Sequence, residues 1–198
     1  IAVIGYRGDE VAGALGPDVR CVWQREQKGT GHAVMQAESA LGTYTGPVLI
    51  ACGDVPLIRP STFSSMEAEA SLAGVRGVVL GMVPGDPHGY GRLVRDSEGG
   101  LDRIVEERDA TDAQRRIAEV NTGTYMFHAR DLFDGLKTIT TDNAQGEYYL
   151  PDVVGYIRST GGEVRTILLE DAIEGSGVNT PEELRRLEEA FGRMTAER

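Results

Sequence analysis

Several loops in this 198-residue chain combine glycine with polar side chains at spacings that suit chemistry on phosphates and sugars. In Ala51-Cys52-Gly53-Asp54-Val55-Pro56-Leu57 a carboxylate follows an apolar run of strand type, and Gly53 lets the backbone turn closely. Ligands of open α/β sheets sit outside the carboxyl ends of the strands. Magnesium takes one or two protein oxygens there and leaves its other positions to water and phosphate. Asp54 suits that role, and a cap on the turn before Pro56 is the plainer alternative. Earlier in the chain, Gln24-Arg25-Glu26-Gln27-Lys28-Gly29-Thr30-Gly31-His32 runs from a strand into a helix. Gly29 and Gly31 allow close backbone approach, and a helix start offers N–H groups to an anion or a base edge. His32 reads as a residue that fixes this loop by hydrogen bonds rather than as an acid or base.

Four further segments carry candidate groups. Gly89 and Gly91, in Pro87-His88-Gly89-Tyr90-Gly91-Arg92, leave room for a sugar ring against the backbone, and Glu106 can accept from its hydroxyls. Asn121-Thr122-Gly123 presents an amide that both donates and accepts, or forms a simple turn. The stretch Asn143 to Asp152 is dense in polar and aromatic groups; its tyrosines can carry and orient a sugar ring or merely pack. Gly175-Ser176-Gly177-Val178-Asn179 places a second oxygen ligand, or part of a turn, before the last helix.

The elements that must position these loops alternate. Ile1–Gly5, Val19–Trp23, Pro47–Cys52, Val75–Val83, Val120–Phe127 and Glu163–Leu169 read as strands. Asp9–Leu15, Gly31–Leu41, Ser61–Ala73, Arg130–Ile139 and Glu147–Thr160 read as helices. Such alternation predicts α/β architecture, a mostly parallel sheet flanked by helices, with Gly91–Glu107 inserted as a β-hairpin. Thr180, Pro181 and Glu183 form a capping box for a closing helix with an apolar stripe at Leu184, Leu187, Phe191 and Met194. The whole reads as a single domain over residues 1–198, with 40% apolar and 26% charged residues. Twenty basic against 31 acidic residues give a net charge of −11, which repels a nucleic-acid backbone. No apolar run reaches membrane-spanning length. Cys21 and Cys52, with no export signal, read as reduced core thiols in a cytoplasmic protein.

Taken in order, Gln27 to Ala33, Gly53 to Leu57, Gly89 to Arg92, Ile104 to Glu106, Glu119 to Gly123, Asn143 to Tyr149 and Gly177 to Asn179 resemble the uridylyltransferase domain of the bacterial N-acetylglucosamine-1-phosphate uridylyltransferases, the bifunctional GlmU family. The resemblance implies a Rossmann-like nucleotide-diphospho-sugar transferase fold. It implies that Gln24, Gly29, Thr30 and Gly53 hold the uridine nucleotide, that Asp54 and Asn179 are the catalytic Mg2+ ligands, and that Gly91, Glu106, Asn121 and Tyr149 surround the sugar. The implied partners are UTP and N-acetylglucosamine 1-phosphate, in UDP-N-acetylglucosamine biosynthesis for the cell wall. Three substitutions depart from the family: Cys52 stands at a usual tyrosine, Pro151 at a usual threonine and Lys28 at a usual leucine. The family's opening strand, glycine-rich loop and lysine have no counterpart, because Ile1 matches a later strand, so the chain reads as N-terminally incomplete. Nothing after Asn179 resembles hexapeptide repeats, so acetyl transfer is not carried over. Transfer to another sugar phosphate, or a catalytically silent domain that binds sugar nucleotide or protein, remains an alternative.

Overall fold

The computed structural model describes residues 1–196. Its elements are β1 (Ala2–Ile4), α1 (Gly8–Leu15), β2 (Cys21–Trp23), α2 (Thr30–Met35), α3 (Glu38–Leu41), β3 (Pro47–Ile50), α4 (Pro60–Ala70) and β4 (Val75–Met82). The hairpin β5 (Arg92–Arg95) and β6 (Leu101–Val105) comes next, followed by α5 (Asp112–Arg115), β7 (Val120–His128), α6 (Ala129–Leu136), α7 (Asp152–Ser159) and β8 (Glu163–Leu168). A 3-10 turn, Ala172–Gly175, leads to α8 (Pro181–Ala196). No helix among the described residues is long and apolar enough to cross a membrane.

The expected α/β alternation is present, but the sheet is mixed rather than mostly parallel. The six-stranded sheet runs β6-β5-β7-β4-β8, with β3 also on β7, and only the β4–β8 pair in it is parallel. β1 and β2 form a separate parallel pair. The reason lies in β7. It is antiparallel to both β3 and β4, so those two strands run in the same direction with β7 wedged between them. The helical crossover α4 joins β3 to β4 as a parallel fold would. The inserted hairpin then sends the chain back as β7, which occupies the intervening position.

Strand β4 shows why the sheet needs cover on both faces. Val79 packs with Phe127, Leu132, Val153 and Ile157 under α6 and α7, whereas Val78 and Leu80 pack with Met66, Ala70 and Met126 under α4. Successive side chains point to opposite faces, so a strand buried on both sides is apolar throughout. A third cluster seats α8: Leu187 and Ala190 meet Leu57, with Ile173, Val178 and Met194 around them. The capping box holds, since the Thr180 hydroxyl accepts from the Glu183 N–H and Glu183 accepts from the Asn179 and Thr180 amides. Of the expected stripe, Leu187 is buried, whereas Leu184 and Phe191 are exposed.

Two expected helices are shorter than their apolar pattern. The Gly31–Leu41 stretch breaks after Met35. There the Gln36 N–H turns to the Ala33 carbonyl, and the Gln36 side chain takes the His32 carbonyl that a continuing helix would have used. The Glu147–Thr160 stretch becomes helical only at Asp152, because Tyr148 spends both backbone groups on the loop before α2.

Candidate functional site

The site begins with an irregularity in β7. On one side this strand pairs with β4, but the register jumps from Leu80↔Thr124 to Gly81↔Asn121, so Thr122 and Gly123 bulge out. Gly123 takes φ +78°, and the Thr122 hydroxyl donates to the Leu80 carbonyl to tie down the bulge. On its other side β7 meets β3 only from Tyr125 onward and β5 only at Val120. The strand edge between them is left open, and the bulge projects Asn121-Thr122-Gly123 into that opening. Bulges commonly re-aim side chains in this way beside functional sites.

A cavity of about 1190 Å³ forms over this opening. Its polar end brings together Thr30, Gly53, Asp54, Gly91, Glu106, Asn121 and Asn179 from six separate segments. Its apolar arm runs between β1 and β3, lined by Val3, Leu15, Val34, Val48 and Leu49. Tyr90 and His88 also line the wall. Neither was singled out from sequence, although an aromatic residue flanked by two glycines was the available signal. Gln24, Gly29 and Tyr149 do not line the cavity.

The nucleotide-loop candidates are held by the segment before α7. The Gly31 N–H donates to the Tyr148 carbonyl and the Tyr148 N–H to the Lys28 carbonyl, each at 2.8 Å. The Thr30 hydroxyl accepts from the Leu150 N–H at 3.2 Å. A Cβ on Gly29 or Gly31 would stand 2.7 or 2.9 Å from the Tyr148 oxygen. The close approach expected of these glycines is therefore made to the protein's own backbone. The Gln24 amide donates to the Gly29 carbonyl and meets the His32 ring, which stacks on Tyr148. His32 thus fixes the loop. Lys28 is exposed and paired with Glu26.

Gly53 differs from these. It has no positive φ, and an added Cβ would meet nothing within 4 Å. It occupies the second position of the Cys52–Val55 turn, whose Val55 N–H donates to the Cys52 carbonyl. Asp54 beside it is exposed, and its carbonyl accepts from the Val178 N–H at 2.9 Å, which brings the Gly177–Asn179 loop alongside. Among the described residues no three His, Cys, Asp or Glu side chains converge as a metal cage. One carboxylate and one carboxamide on the same wall fit a hard dication that keeps most of its shell for water and phosphate, and do not fit a four-ligand zinc site. Cys52 is a free, partly buried thiol that donates to the Gly123 carbonyl, not a core residue, and burial raises its pKa.

Among the residues expected to face a sugar, Asn121 is buried and half used. Its Nδ2 donates to the Tyr125 hydroxyl at 2.5 Å and its Oδ1 accepts from the Gly123 N–H at 3.1 Å, which leaves one N–H and one lone pair for a ligand. Complete burial drives the Tyr125 hydroxyl pKa far upward, so that group stays neutral. Glu106 stands beside buried Gly91, where an added Cβ would lie 3.4 Å from its Oε1. Burial raises its carboxyl pKa, and the charges of Asp152, Asp109 and Glu147 raise it further. Tyr149 is buried, and its hydroxyl donates to Asp109 and accepts from Gln145. These two bonds tie that hydroxyl to the chain itself. Pro151 lines the wall, where it offers no hydroxyl.

A nucleotidyl transferase family profile matches residues 9–172. The chain is 42% identical over 179 residues to the bifunctional protein GlmU of Oceanobacillus iheyensis, an alignment covering 90% of this chain and 39% of that protein. It is 44% identical over 188 residues to the bifunctional protein GlmU of Heliobacterium modesticaldum, covering 95% and 41% respectively. With that of Halalkalibacterium halodurans it shares 42% over 197 residues, 100% of this chain and 43% of the relative. The chain thus spans about two fifths of the length of the curated relatives it matches.

Proposed function

The chain belongs to the nucleotidyl transferase family, and from that premise we propose that its residues act as one domain transferring a uridylyl group from UTP to N-acetylglucosamine 1-phosphate. The products are UDP-N-acetylglucosamine and pyrophosphate. The observation that carries this reading is the single cavity over the open edge of β7, which joins Thr30, Gly53 and Asp54 to Gly91, Glu106 and Asn121. A donor and an acceptor can lie in it side by side.

The acceptor's phosphate oxygen attacks the α-phosphorus in line, and pyrophosphate leaves from the opposite side. That oxygen is already ionised at neutral pH, so no protein nucleophile or base is needed. Rate enhancement comes from alignment and from neutralising charge. A magnesium ion at Asp54 and Asn179 supplies that neutralisation when bound. Thr30 and Gly53 border the nucleotide, with Gln24 and Gly29 shaping the loop behind them. Glu106 accepts from sugar hydroxyls, and the spare valences of Asn121 engage the sugar or its acetamido group. The setting is cytoplasmic.

The test is pyrophosphate release from UTP with N-acetylglucosamine 1-phosphate, compared with other sugar 1-phosphates and other nucleoside triphosphates. Release with a different pair would reassign the substrates.

A further inference from the structure

We propose that Asp109 is a positioning residue: its carboxylate latches the segment Asn143–Leu150 to the turn that carries Glu106, and so sets the sugar side of the cavity against the nucleotide side. The inference rests on the functional reading above and adds to it a residue that touches neither substrate. Asp109 closes a turn with Glu106, its N–H donating to the Glu106 carbonyl at 3.0 Å. One carboxylate oxygen accepts from the Ala144 N–H at 2.8 Å, and the other accepts from the Tyr149 hydroxyl at 3.0 Å. Gln145 completes the Tyr149 hydroxyl with a bond of 2.9 Å.

Between its ends the segment is internally braced. The Asn143 side chain accepts from the Gln145 and Glu147 amides and donates to the Glu147 carbonyl. Its far end is the stretch that holds Lys28, Thr30 and Gly31. A braced strap tied at one end to Glu106 and at the other to the nucleotide loop fixes the spacing of the two half-sites. Leu150 and Pro151, at the strap's end, are themselves part of the cavity wall. An alanine at position 109 removes both acceptors, whereas an asparagine would keep the oxygen facing Ala144.

The experiment compares wild type with Asp109→Ala by amide hydrogen exchange and by steady-state kinetics. Exchange at Ala144 is expected to accelerate on the order of tenfold or more, the scale of one lost charge-assisted hydrogen bond. The Gly31 amide, held by Tyr148, keeps its protection. KM for the sugar phosphate rises by a similar factor while kcat changes by less than about twofold. Tyr149→Phe is expected to reproduce part of the effect and to be non-additive with Asp109→Ala. Unchanged exchange at Ala144, or equal loss of protection throughout the chain, overturns the latch. A kcat fall with KM unmoved overturns its positioning role. If wild type turns over no substrate yet Ala144 exchange responds as expected, the latch stands and the functional reading falls.

Discussion

Gly53→Ala separates a glycine kept for a ligand from glycines kept for the fold. At Gly53 the backbone already suits alanine, and the added methyl meets no protein atom within 4 Å. A glycine-to-alanine change at a compatible position restricts the unfolded chain and stabilises by about 0.4–1 kcal/mol. For a chain of this size that is a rise of about 1–4 °C in Tm. The methyl instead enters the cavity, where the nucleotide is expected to lie against the backbone. Overpacking of this kind costs about 1–3 kcal/mol, which is about 5- to 150-fold in KM for UTP. Differential scanning calorimetry and initial rates of pyrophosphate release at varied UTP give both numbers. Gly31→Ala is the control, because its methyl would lie 2.7 Å from Ile139 and 2.9 Å from the Tyr148 oxygen. It is expected to lower Tm and to raise KM together. Gly53→Ala with KM for UTP unchanged within about twofold would refute the assignment of Gly53 to the nucleotide.

Asp54→Ala is expected to abolish metal-dependent turnover with the circular-dichroism spectrum and Tm unchanged, since the residue is exposed; undiminished turnover at saturating magnesium would sink the metal role. Glu106 has a raised pKa in the folded state, through burial and then through Asp152, Asp109 and Glu147. Its ionisation therefore opposes folding. Its favourable contribution is complete below the ordinary carboxylate range and is lost as pH rises through the folded pKa. Glu106→Gln is accordingly expected to raise Tm near neutral pH, to leave it unchanged in acid, and to raise KM for the sugar phosphate. Equal Tm shifts at both pH values would contradict the origin of the shift.

Element types were largely legible because buried strands such as β4 carry an unbroken apolar run, Val78–Met82, and the hairpin carries its own turn at Ser97–Gly100. Pairing was not. Nothing in the composition of Val120–His128 says that it runs against its neighbours, since that direction is decided by the inserted hairpin. Seven of the candidate residues, among them Asp54, Glu106 and Asn121, were read from loop chemistry and order and do line one cavity. The exceptions share a cause. Gln24, Gly29 and Tyr149 have chemistry that suits ligands, but Gln24 bonds within its own loop, and Gly29 and Tyr149 meet distant parts of the same chain. Tyr148, Asp109 and the bulge at Thr122–Gly123 lay outside sequence reasoning for the same reason. Their roles depend on which backbone arrives opposite them.

The loop at residues 28–31 also has a history in time. Thr30 is fixed by Leu150, 120 positions later in the chain. Closing so long a loop draws on chain entropy before any local contact rewards it. During synthesis residues 28–31 can be complete only after Leu150 has left the ribosome, whereas β1, β2 and α1 need only the first stretch of chain. On refolding, the tryptophan signal of Trp23 is expected to settle before nucleotide affinity returns, and a chain stopped short of Tyr148 would carry the glycine motif intact in sequence and unformed in space.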